Sequence, residues 1–418
     1  MDPKASAPFR LDPHADPAVE AEALRKRGCP LQHVVLPGGV HAMAALDHKT
    51  ALQVFGDPRM AKDPAAWTDL QEGRIPADWE LMAFVRGAGM LNADGAEHRR
   101  LRGPSAAAFG RTPVEALRPR VKAIAGELLD RLEEAAATGP VDLRELFAFP
   151  LPVRVVCEIL GFPDTAVTGL RRAFERLVTS GSDADPGRAD IRSAEETIAA
   201  ELAGLVAAKR EHPADDLATA LMQARDEDGN ALGTQELIQT MFLILIAGHE
   251  TTVNLVTGIA RTLLKDRSLL DPVRDATRTW ADVVEEGLRH SPPVRYTLMR
   301  YAKEDLELAG VKVARGTALV VSHFGIGRDP DTHHDPERFD LDRPTRRHLA
   351  FGHGAHYCLG AALGRLEAAV ALEELFARFP DLTLATEDPE PLPSTALHGL
   401  KTLPVELRTD ARPPEQRP

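Results

Sequence analysis

Cysteine is scarce in this chain, and its scarcity excludes a disulfide-stabilised scaffold. Three cysteines occur among 418 residues, far apart at Cys29, Cys157 and Cys358. Their odd number and wide spacing favour a reducing cytoplasm as the setting. Cys157 lies in an apolar segment and is expected to be a small buried residue, while Cys29 is expected to be inert. Cys358 needs a different explanation.

A long hydrophobic run and an excess of basic residues are also missing. The most apolar run, residues 241–247, is far shorter than the roughly 20 residues of a membrane-spanning helix. Residues 1–10 lack the basic and apolar regions of a secretory signal. The formal charge of −13 argues against nucleic acid, because phosphate binding needs a basic surface. We therefore expect a cytoplasmic, monomeric, globular protein that binds neither membrane nor nucleic acid.

Hydrophobic periodicity predicts a mainly α-helical chain. Apolar residues recur at helical spacing in five segments, residues 113–137, 162–179, 189–210, 234–265 and 358–379. Strand patterns are confined to residues 33–36 and 40–46, joined by a turn at 37–39, and to residues 305–321. The expected fold class is therefore mainly α, with small β-sheets near the N- and C-terminal parts.

The whole chain, residues 1–418, is expected to form a single domain. Residues 1–30 are predicted to be an extended N-terminal segment, and residues 409–418 a flexible tail. Three stretches without a clear period, residues 57–92, 180–187 and 329–345, are predicted to be irregular. The first two are predicted lids over a binding site.

The strongest motif is FGHGAHYCLG at residues 351–360. Its two glycines permit a tight loop with positive φ angles, which would place Cys358 in the first turn of the next helix. Free N–H groups there lower a thiol pKa and favour the metal-binding thiolate. One alternative is a buried structural cysteine. Another is zinc, with His348, His353 and His356 nearby, although zinc sites use paired ligands at short spacing.

The pattern Phe-x-x-Gly-x-His-x-Cys-x-Gly resembles the haem-binding loop of the cytochrome P450 family. Similarity to soluble bacterial members extends over nearly the whole chain. The resemblance implies a large helical domain that binds haem b, with the Cys358 thiolate as the axial ligand of the iron. Phe351, Gly352, His356 and Gly360 would contact the haem.

A second motif, AGHETT at residues 247–252, interrupts the long helix predicted over 234–265. The Thr251 hydroxyl can bond the carbonyl of Ala247 one turn back and open a local groove. By itself this pattern indicates a kinked core helix. Beside Cys358 it resembles the family's oxygen-activation motif, in which Thr251 would steady dioxygen, Glu250 would help deliver protons and Ala247 would line the haem. His249 points elsewhere on the helix.

A third motif pairs Glu286 with Arg289 at a helical spacing of three, which is commonly a weak surface pair. Downstream, the segment DPERF around Arg338 resembles the second half of the family's buried Glu-Arg-Arg triad. We therefore assign Glu286, Arg289 and Arg338 to structure, as a brace for the Cys358 loop. Loss of one member of such a network costs about 3–5 kcal/mol.

A fourth set consists of cations that suit the two haem propionates, since arginine has a planar fork of donors. His98 and Arg102 lie one helical turn apart and resemble the family's propionate contacts, as do Arg300 and His356. His348 is a weaker candidate. Five other arginines are expected at the surface: Arg99, Arg100, Arg343, Arg346 and Arg347.

The resemblance implies a monooxygenase of secondary metabolism that uses O2 and two electrons to hydroxylate a hydrophobic natural product or steroid-like molecule. Oxidative coupling or peroxide-driven chemistry, and a non-enzymatic haem sensor, are the alternatives. Since the nicotinamide-binding pattern Gly-x-Gly-x-x-Gly is missing, electrons would come from a ferredoxin and its reductase. Arg99, Arg100, Arg346 and Arg347 are hypothesised to dock the ferredoxin.

The substrate contacts implied by family position are mostly apolar. They are Leu91, Leu243, Ala247, Val294, Leu298 and Leu397. Arg295 and Tyr296 would face solvent or, alternatively, add one polar contact to the substrate.

Overall fold

The computed structural model describes residues 7–87, 89–179, 187–226 and 229–407. The predicted tail and residues 180–186 of the predicted loop lie outside the described residues. In chain order the helices are α1 (Pro17–Arg25), α2 (His48–Gly56), α3 (Thr68–Gln71), α4 (Met82–Arg86), α5 (Gly95–Ala106), α6 (Arg111–Ala116), α7 (Arg118–Ala135), α8 (Pro150–Leu160), α9 (Asp164–Thr179), α10 (Gly187–Glu211), α11 (Leu217–Gln223), α12 (Thr234–Lys265), α13 (Asp271–Arg274), α14 (Trp280–His290), α15 (His323–Gly327) and α16 (Ala361–Arg378).

The strands are shorter and lie mostly near the two ends of the chain. They are β1 (Phe9–Arg10), β2 (Leu31–Leu36), β3 (Val40–Ala45), β4 (Met60–Ala61), β5 (Val141–Asp142), β6 (Tyr296–Ala302), β7 (Leu306–Leu308), β8 (Val311–Val313), β9 (Ala318–Ser322), β10 (Thr383–Leu384) and β11 (Pro404–Glu406). The largest sheet has the order β1-β2-β3-β9-β6-β4, with β2 and β3 as the predicted antiparallel hairpin. Gly38 in its turn has a φ of 78°, and a Cβ there would lie 2.8 Å from the Trp79 ring.

Three expectations about the elements need correction. The helix predicted over 113–137 is divided into α6 and α7, because Pro119 at the start of α7 cannot donate a backbone hydrogen bond to a preceding helix. The N-terminal segment is not extended throughout, since residues 17–25 form α1, which the Asp16 side chain caps. The last long helix begins at Ala361, so Cys358 precedes it.

The helical core is built around α12, which packs against α8, α10, α14 and α16. By length and composition α12 could cross a membrane, but 61% of its most apolar window is buried by the rest of the protein. This burial is typical of the central helix of a globular core. Two further apolar clusters pack on the sheet.

The segment 57–92 is better anchored than a lid. Trp67 is fully buried and stacks on Tyr301 with ring centroids 5.4 Å apart. The indole N–H of Trp79 donates to the carbonyl of Pro37 over 2.9 Å. The buried residues of this segment therefore pack in the core beneath the sheet, which the missing period did not indicate.

Candidate active site

The loop before α16 closes on itself and positions Cys358. Gly352 and Gly354 have φ angles of 70° and 75°, as the motif predicts. The backbone N–H of Cys358 donates to the carbonyl of Phe351 over 2.8 Å. A Cβ at position 354 would approach the Phe55 carbonyl to 3.0 Å, so glycine is also needed for close packing against α2.

Cys358 is accessible, although protein packs close around its thiol. The residue is exposed, yet burial by the surrounding protein raises the thiol pKa. The backbone N–H of Gly360 and the guanidinium groups of Arg102 and Arg365 act in the opposite direction without overcoming burial. The predicted net lowering of the pKa is therefore wrong. Because the thiolate is the form that binds metals, a bonded cation would supply the missing stabilisation.

A set of contacts that the sequence did not predict braces this loop. The Arg365 guanidinium lies 4.3 Å from the ring centroid of Phe351 and bonds Glu285 over 2.5 Å. His348 also contacts Glu285, over 3.2 Å, so it belongs to this brace. Within the described ranges no group of three or more His, Cys, Asp or Glu residues is arranged to hold a metal ion, which gives the zinc alternative no support.

Three of the predicted propionate contacts come together as a buried cationic cluster, defined here as His98, Arg300 and His356. The rings of His98 and His356 lie 4.0 Å apart between centroids. His98 Nε2 and Arg300 Nε are buried without a hydrogen-bond partner. Burial lowers the pKa of His98 to about 4 and that of Arg300 to about 10, so at neutral pH Arg300 carries the positive charge and His98 is a neutral imidazole. Unpaired donors and buried positive charge fit a carboxylate-bearing ligand such as haem.

Arg102 lies beside the cysteine loop. It donates to the Tyr357 carbonyl over 2.6 Å, and its charge acts on Cys358. His98 and Arg102, predicted from one helix face, thus reach different parts of the site. The donor set as a whole, one sulfur with two arginines and two histidine rings nearby, fits haem.

The oxygen-activation motif has the predicted local geometry. The Thr251 hydroxyl donates to the Ala247 carbonyl over 2.8 Å. Ala247 is exposed and Thr251 half-buried, whereas Glu250 and Thr252 are buried. His249 is buried with Nε2 3.2 Å from the Phe149 carbonyl, away from Thr251 as predicted.

Glu250 does not bond Thr251. Its carboxylate pairs with Arg144 over 2.8 Å, and its second oxygen is buried without a hydrogen-bond partner. Burial raises the pKa of Glu250, while Arg144 and Asn254 oppose that rise. Arg144 is more than a hundred residues away in sequence, and no local pattern pairs the two.

A second buried acid, Glu367 on α16, was not predicted. Its side chain is 2% exposed, and burial raises its pKa to about 8, opposed by a hydrogen bond with Thr252. The signal in the sequence was a lone carboxylate on an otherwise apolar face of α16. Thr252 therefore links this acid to the helix of Thr251.

The buried triad exists, but its third member differs from the prediction. Glu286 and Arg289 are fully buried and bond each other over 2.7 Å. The third side chain is Arg343, whose Nε lies 3.4 Å from Glu286. Arg338 is exposed and contributes its backbone carbonyl, which accepts from Arg289 and Arg343. The surface expectation for Arg343 is therefore wrong as well.

The four proposed docking arginines fall into two pairs. Arg99 and Arg347 are exposed. Arg100 is bound to Glu97 and Glu236, and Arg346 to Asp282. The second pair is committed to intramolecular ion pairs.

The residues expected to contact the substrate are apolar but not fully buried. Ala247 is exposed, and the half-buried members are Leu91, Leu243, Val294 and Leu397. The side chain of Leu298 lies outside the described part of the structure. Val294 and Leu397 form a β-bridge.

Arg295 and Tyr296 do not face solvent. Both are buried and bond Glu20 over 2.8 Å. They tie the N-terminal helix to β6, which the local sequence does not indicate.

Comparisons with known proteins agree with this geometry. A family model described as Cytochrome P450 matches residues 190–408. The 2-hydroxy-5-methyl-1-naphthoate 7-hydroxylase of Streptomyces carzinostaticus is 39% identical over 406 residues, covering 96% of this chain and 98% of that protein. The cytochrome P450 monooxygenase PikC of Streptomyces venezuelae is 36% identical, covering 94% of this chain and 92% of PikC.

A solved structure extends the likeness to the fold. Testosterone-bound CYP154C4 from Streptomyces has a TM-score of 0.89 and 38% identity, covering 96% of this chain and 98% of that one. The expectation of a mainly helical fold with small sheets is thereby confirmed. The chain belongs to the cytochrome P450 family, whose members use haem with a thiolate ligand, and it is a cytochrome P450 monooxygenase.

Proposed function

We propose that this enzyme binds haem b through Cys358 and hydroxylates a hydrophobic polycyclic molecule of natural-product or steroid type. The supporting observation is an exposed cysteine accompanied by His98 and Arg300, which keep buried nitrogens without a hydrogen-bond partner. Bound haem would supply O2 activation, which inserts one oxygen atom into a C–H bond and releases the other as water. Iron ligation, proton delivery and substrate placement are the tasks of the chain's own residues.

Cys358 would hold the iron, and the cationic cluster with Arg102 would hold the propionates. Phe351, Gly352 and Gly360 belong to the loop that would contact the haem. Arg365 keeps Phe351 in place through its contact with the ring. Because Arg365 is itself bonded to Glu285, the loop is supported by α14 as well as by α16.

Thr251 and Glu250 handle protons. The Thr251 hydroxyl proton rests on the Ala247 carbonyl, on the exposed face of α12. Glu250 is the proton donor of this helix, because a carboxyl with a raised pKa keeps its proton at higher pH. Arg144 holds one carboxylate oxygen and leaves the other available for exchange.

The substrate lies against the accessible apolar residues between two cores. Leu243 packs at the edge of the helical core, and Leu397 packs at the edge of the sheet core. Apolar surface that remains accessible inside a fold is typical of ligand sites. The naphthoate named for one relative and the testosterone bound by another are both fused-ring compounds, which supports a polycyclic substrate here.

Electrons come from a cytoplasmic ferredoxin and its reductase, and the docking surface is centred on Tyr357. This residue precedes the ligand cysteine and is 41% exposed. Arg99 and Arg347 supply the positive charge, in place of the four arginines first considered. Reversing both charges should slow reduction and weaken its salt dependence, whereas Arg192→Glu on α10 should change neither.

The test is optical. Reduced protein treated with carbon monoxide should give the red-shifted Soret band of thiolate-ligated haem; without that band the proposal fails. Ferric protein should then be titrated with testosterone, a hydroxynaphthoate and a macrolide, following the loss of the water ligand. A response to the macrolide alone would overturn the polycyclic assignment.

A variant sharpens the titration. Ala247→Leu places a larger side chain on the exposed face of α12 and should weaken polycycle binding about tenfold, or about 1.4 kcal/mol. Ala207→Leu, on an exposed face of α10, is the matched control and should leave binding unchanged. Product formation with the ferredoxin system separates the monooxygenase from a haem sensor, which would bind and release unchanged ligand.

A further inference from the structure

Lys62 is a buried cation next to the cationic cluster. It is 5% exposed, as is Arg300. β4 pairs with β6 so that Met60 lies opposite Ala302 and Ala61 opposite Tyr301. Continuing this antiparallel register by one residue places Lys62 opposite Arg300, with both side chains on the same face of the sheet. Like charges in that position repel each other.

Among the described residues, one carboxylate acts on both members of this pair. In the part of the chain that the structure describes, Asp94 is the carboxylate that stabilises both Lys62 and Arg300. Asp94 Oδ2 already accepts from the backbone N–H groups of Lys62 and Asp63, over 2.8 and 2.9 Å. Its Oδ1 lies 3.8 Å from His356. One carboxylate is therefore shared among several donors.

Lys62 and Arg300 lie buried beside this shared carboxylate, and burial lowers the pKa of Lys62 to about 7 and that of Arg300 to about 10. An anionic ligand at this place would favour the charged form of both side chains. Burying a like-charge pair is costly unless a ligand of opposite charge compensates it.

We propose that Lys62 is a further cofactor-binding residue, which with Arg300 holds one carboxylate of the haem. This inference rests on the proposed haem site. The residue was missed because it lies in the irregular segment 57–92, where no motif marks it. Its position follows from strand register.

The experiment measures haem retention by the holoenzyme. Lys62→Met keeps the aliphatic length of the side chain but removes the charge. Haem transfer to excess apomyoglobin is measured as the decrease of the thiolate-type Soret band with time. A lost charge-assisted hydrogen bond is worth about 1.5–3 kcal/mol, so transfer should be faster by about tenfold or more. Lys62→Arg should restore retention. Arg59→Met removes an exposed cation that is paired with Asp57 and should have no effect.

A second arm separates binding from structure. Both proteins are reconstituted with iron protoporphyrin dimethyl ester, whose carboxylates carry no charge. The proposal expects wild type and Lys62→Met to lose this ester at equal rates. If the variant speeds the loss of ester and free-acid haem by the same factor, Lys62 is structural and the proposal is overturned. Lys62→Gln replaces the methionine variant if that variant does not accumulate as folded protein.

The outcomes also distinguish this proposal from the proposed function. Wild-type protein without the red-shifted Soret band would contradict the haem site itself. Wild-type protein with that band, and a methionine variant that retains haem equally well, would contradict the assignment of Lys62 alone.

Discussion

Two buried charge clusters of this protein differ in how their charges are compensated. In the buried triad, the charges of Glu286, Arg289 and Arg343 are satisfied by one another and by backbone carbonyls. The cationic cluster and its neighbour Lys62 share Asp94 as a carboxylate. In this cluster His98 and Arg300 keep buried nitrogens without a hydrogen-bond partner. The same residue types thus stabilise the fold in one place and provide for a ligand in the other.

The difference is informative because burying charge is expensive in both places. Desolvation costs several kcal/mol per ion unless good partners replace water. A cluster whose charges are compensated by other groups of the same chain needs no ligand, and its loss should lower the stability of the fold. A cluster that leaves donors unpaired indicates a missing partner, and its loss should affect ligand retention instead. The following changes test this distinction.

Glu286→Gln should have the largest effect. It leaves Arg289 and Arg343 buried without their counter-charge, which should lower the free energy of unfolding by about 3–5 kcal/mol. Urea denaturation of the holoenzyme measures the change. Glu115→Gln removes one member of an exposed pair with Arg118 and should cost less than about 1 kcal/mol. Equal effects of the two variants would contradict the stabilising role of the buried triad.

Glu367 should make stability fall as pH rises. Its ordinary pKa of 4.5 is raised to about 8 by burial. Between these values the folded state keeps a proton that the unfolded state has released, so stability is fully present below pH 4.5 and is lost towards pH 8. The loss is about 1.4 kcal/mol per pH unit.

Denaturation at pH 5, 6, 7 and 8 compares wild type with Glu367→Gln, which cannot ionise. The variant should show a shallower decline across this window. Glu374→Gln, on the same helix but paired with Lys122 at the surface, should keep the wild-type slope. Parallel curves for wild type and Glu367→Gln would show that Glu367 does not keep its proton in the folded state.

Glu250→Gln tests the other buried acid. It leaves Arg144 without its carboxylate and should cost about 1–3 kcal/mol. It should also slow product formation, since the amide cannot supply a proton. Glu236→Gln is a matched control because its carboxylate, on the same helix, pairs with Arg100 at a more exposed position. Wild-type product formation by Glu250→Gln would remove Glu250 from proton delivery while leaving its structural role.

Local features of the site could be predicted from the sequence. The bounds of α12, the bond from Thr251 to Ala247 and the glycine loop before Cys358 depend on residues at most a few positions apart. Helical period, i to i−4 side-chain bonding and the φ freedom of glycine are local properties. The motif therefore indicates Cys358 as the proposed ligand without any knowledge of the fold.

Partners distant in sequence could not be predicted. Arg144 reaches Glu250 across 106 positions, and Arg365 reaches Glu285 across 80. The exchange of Arg338 for Arg343 has a different cause. Both lie in an irregular segment without a period, so nothing in the sequence indicates which side chain turns inward. The expected direction of the Cys358 pKa shift was also wrong. Desolvation depends on residues that pack around the thiol from elsewhere in the chain, and a local pattern does not show them.

Thr251→Ala should have the smallest effect on stability and a distinct effect on chemistry. The Thr251 hydroxyl bonds the backbone of its own helix, and alanine is a better helix former, so the free energy of unfolding should change by less than about 0.5 kcal/mol. Haem should remain bound. Product formed per electron consumed should fall, with the difference recovered as hydrogen peroxide or water.

Thr262→Ala gives this measurement its control. Thr262 lies on the same helix and makes the same bond, to the Gly258 carbonyl over 3.0 Å, but it is remote from the cysteine loop in sequence and from the exposed face at Ala247. Its loss should change neither stability nor product yield appreciably. If both variants keep the wild-type yield per electron, the Thr251 hydroxyl is only a helix contact, and the open face of α12 acts through its shape alone.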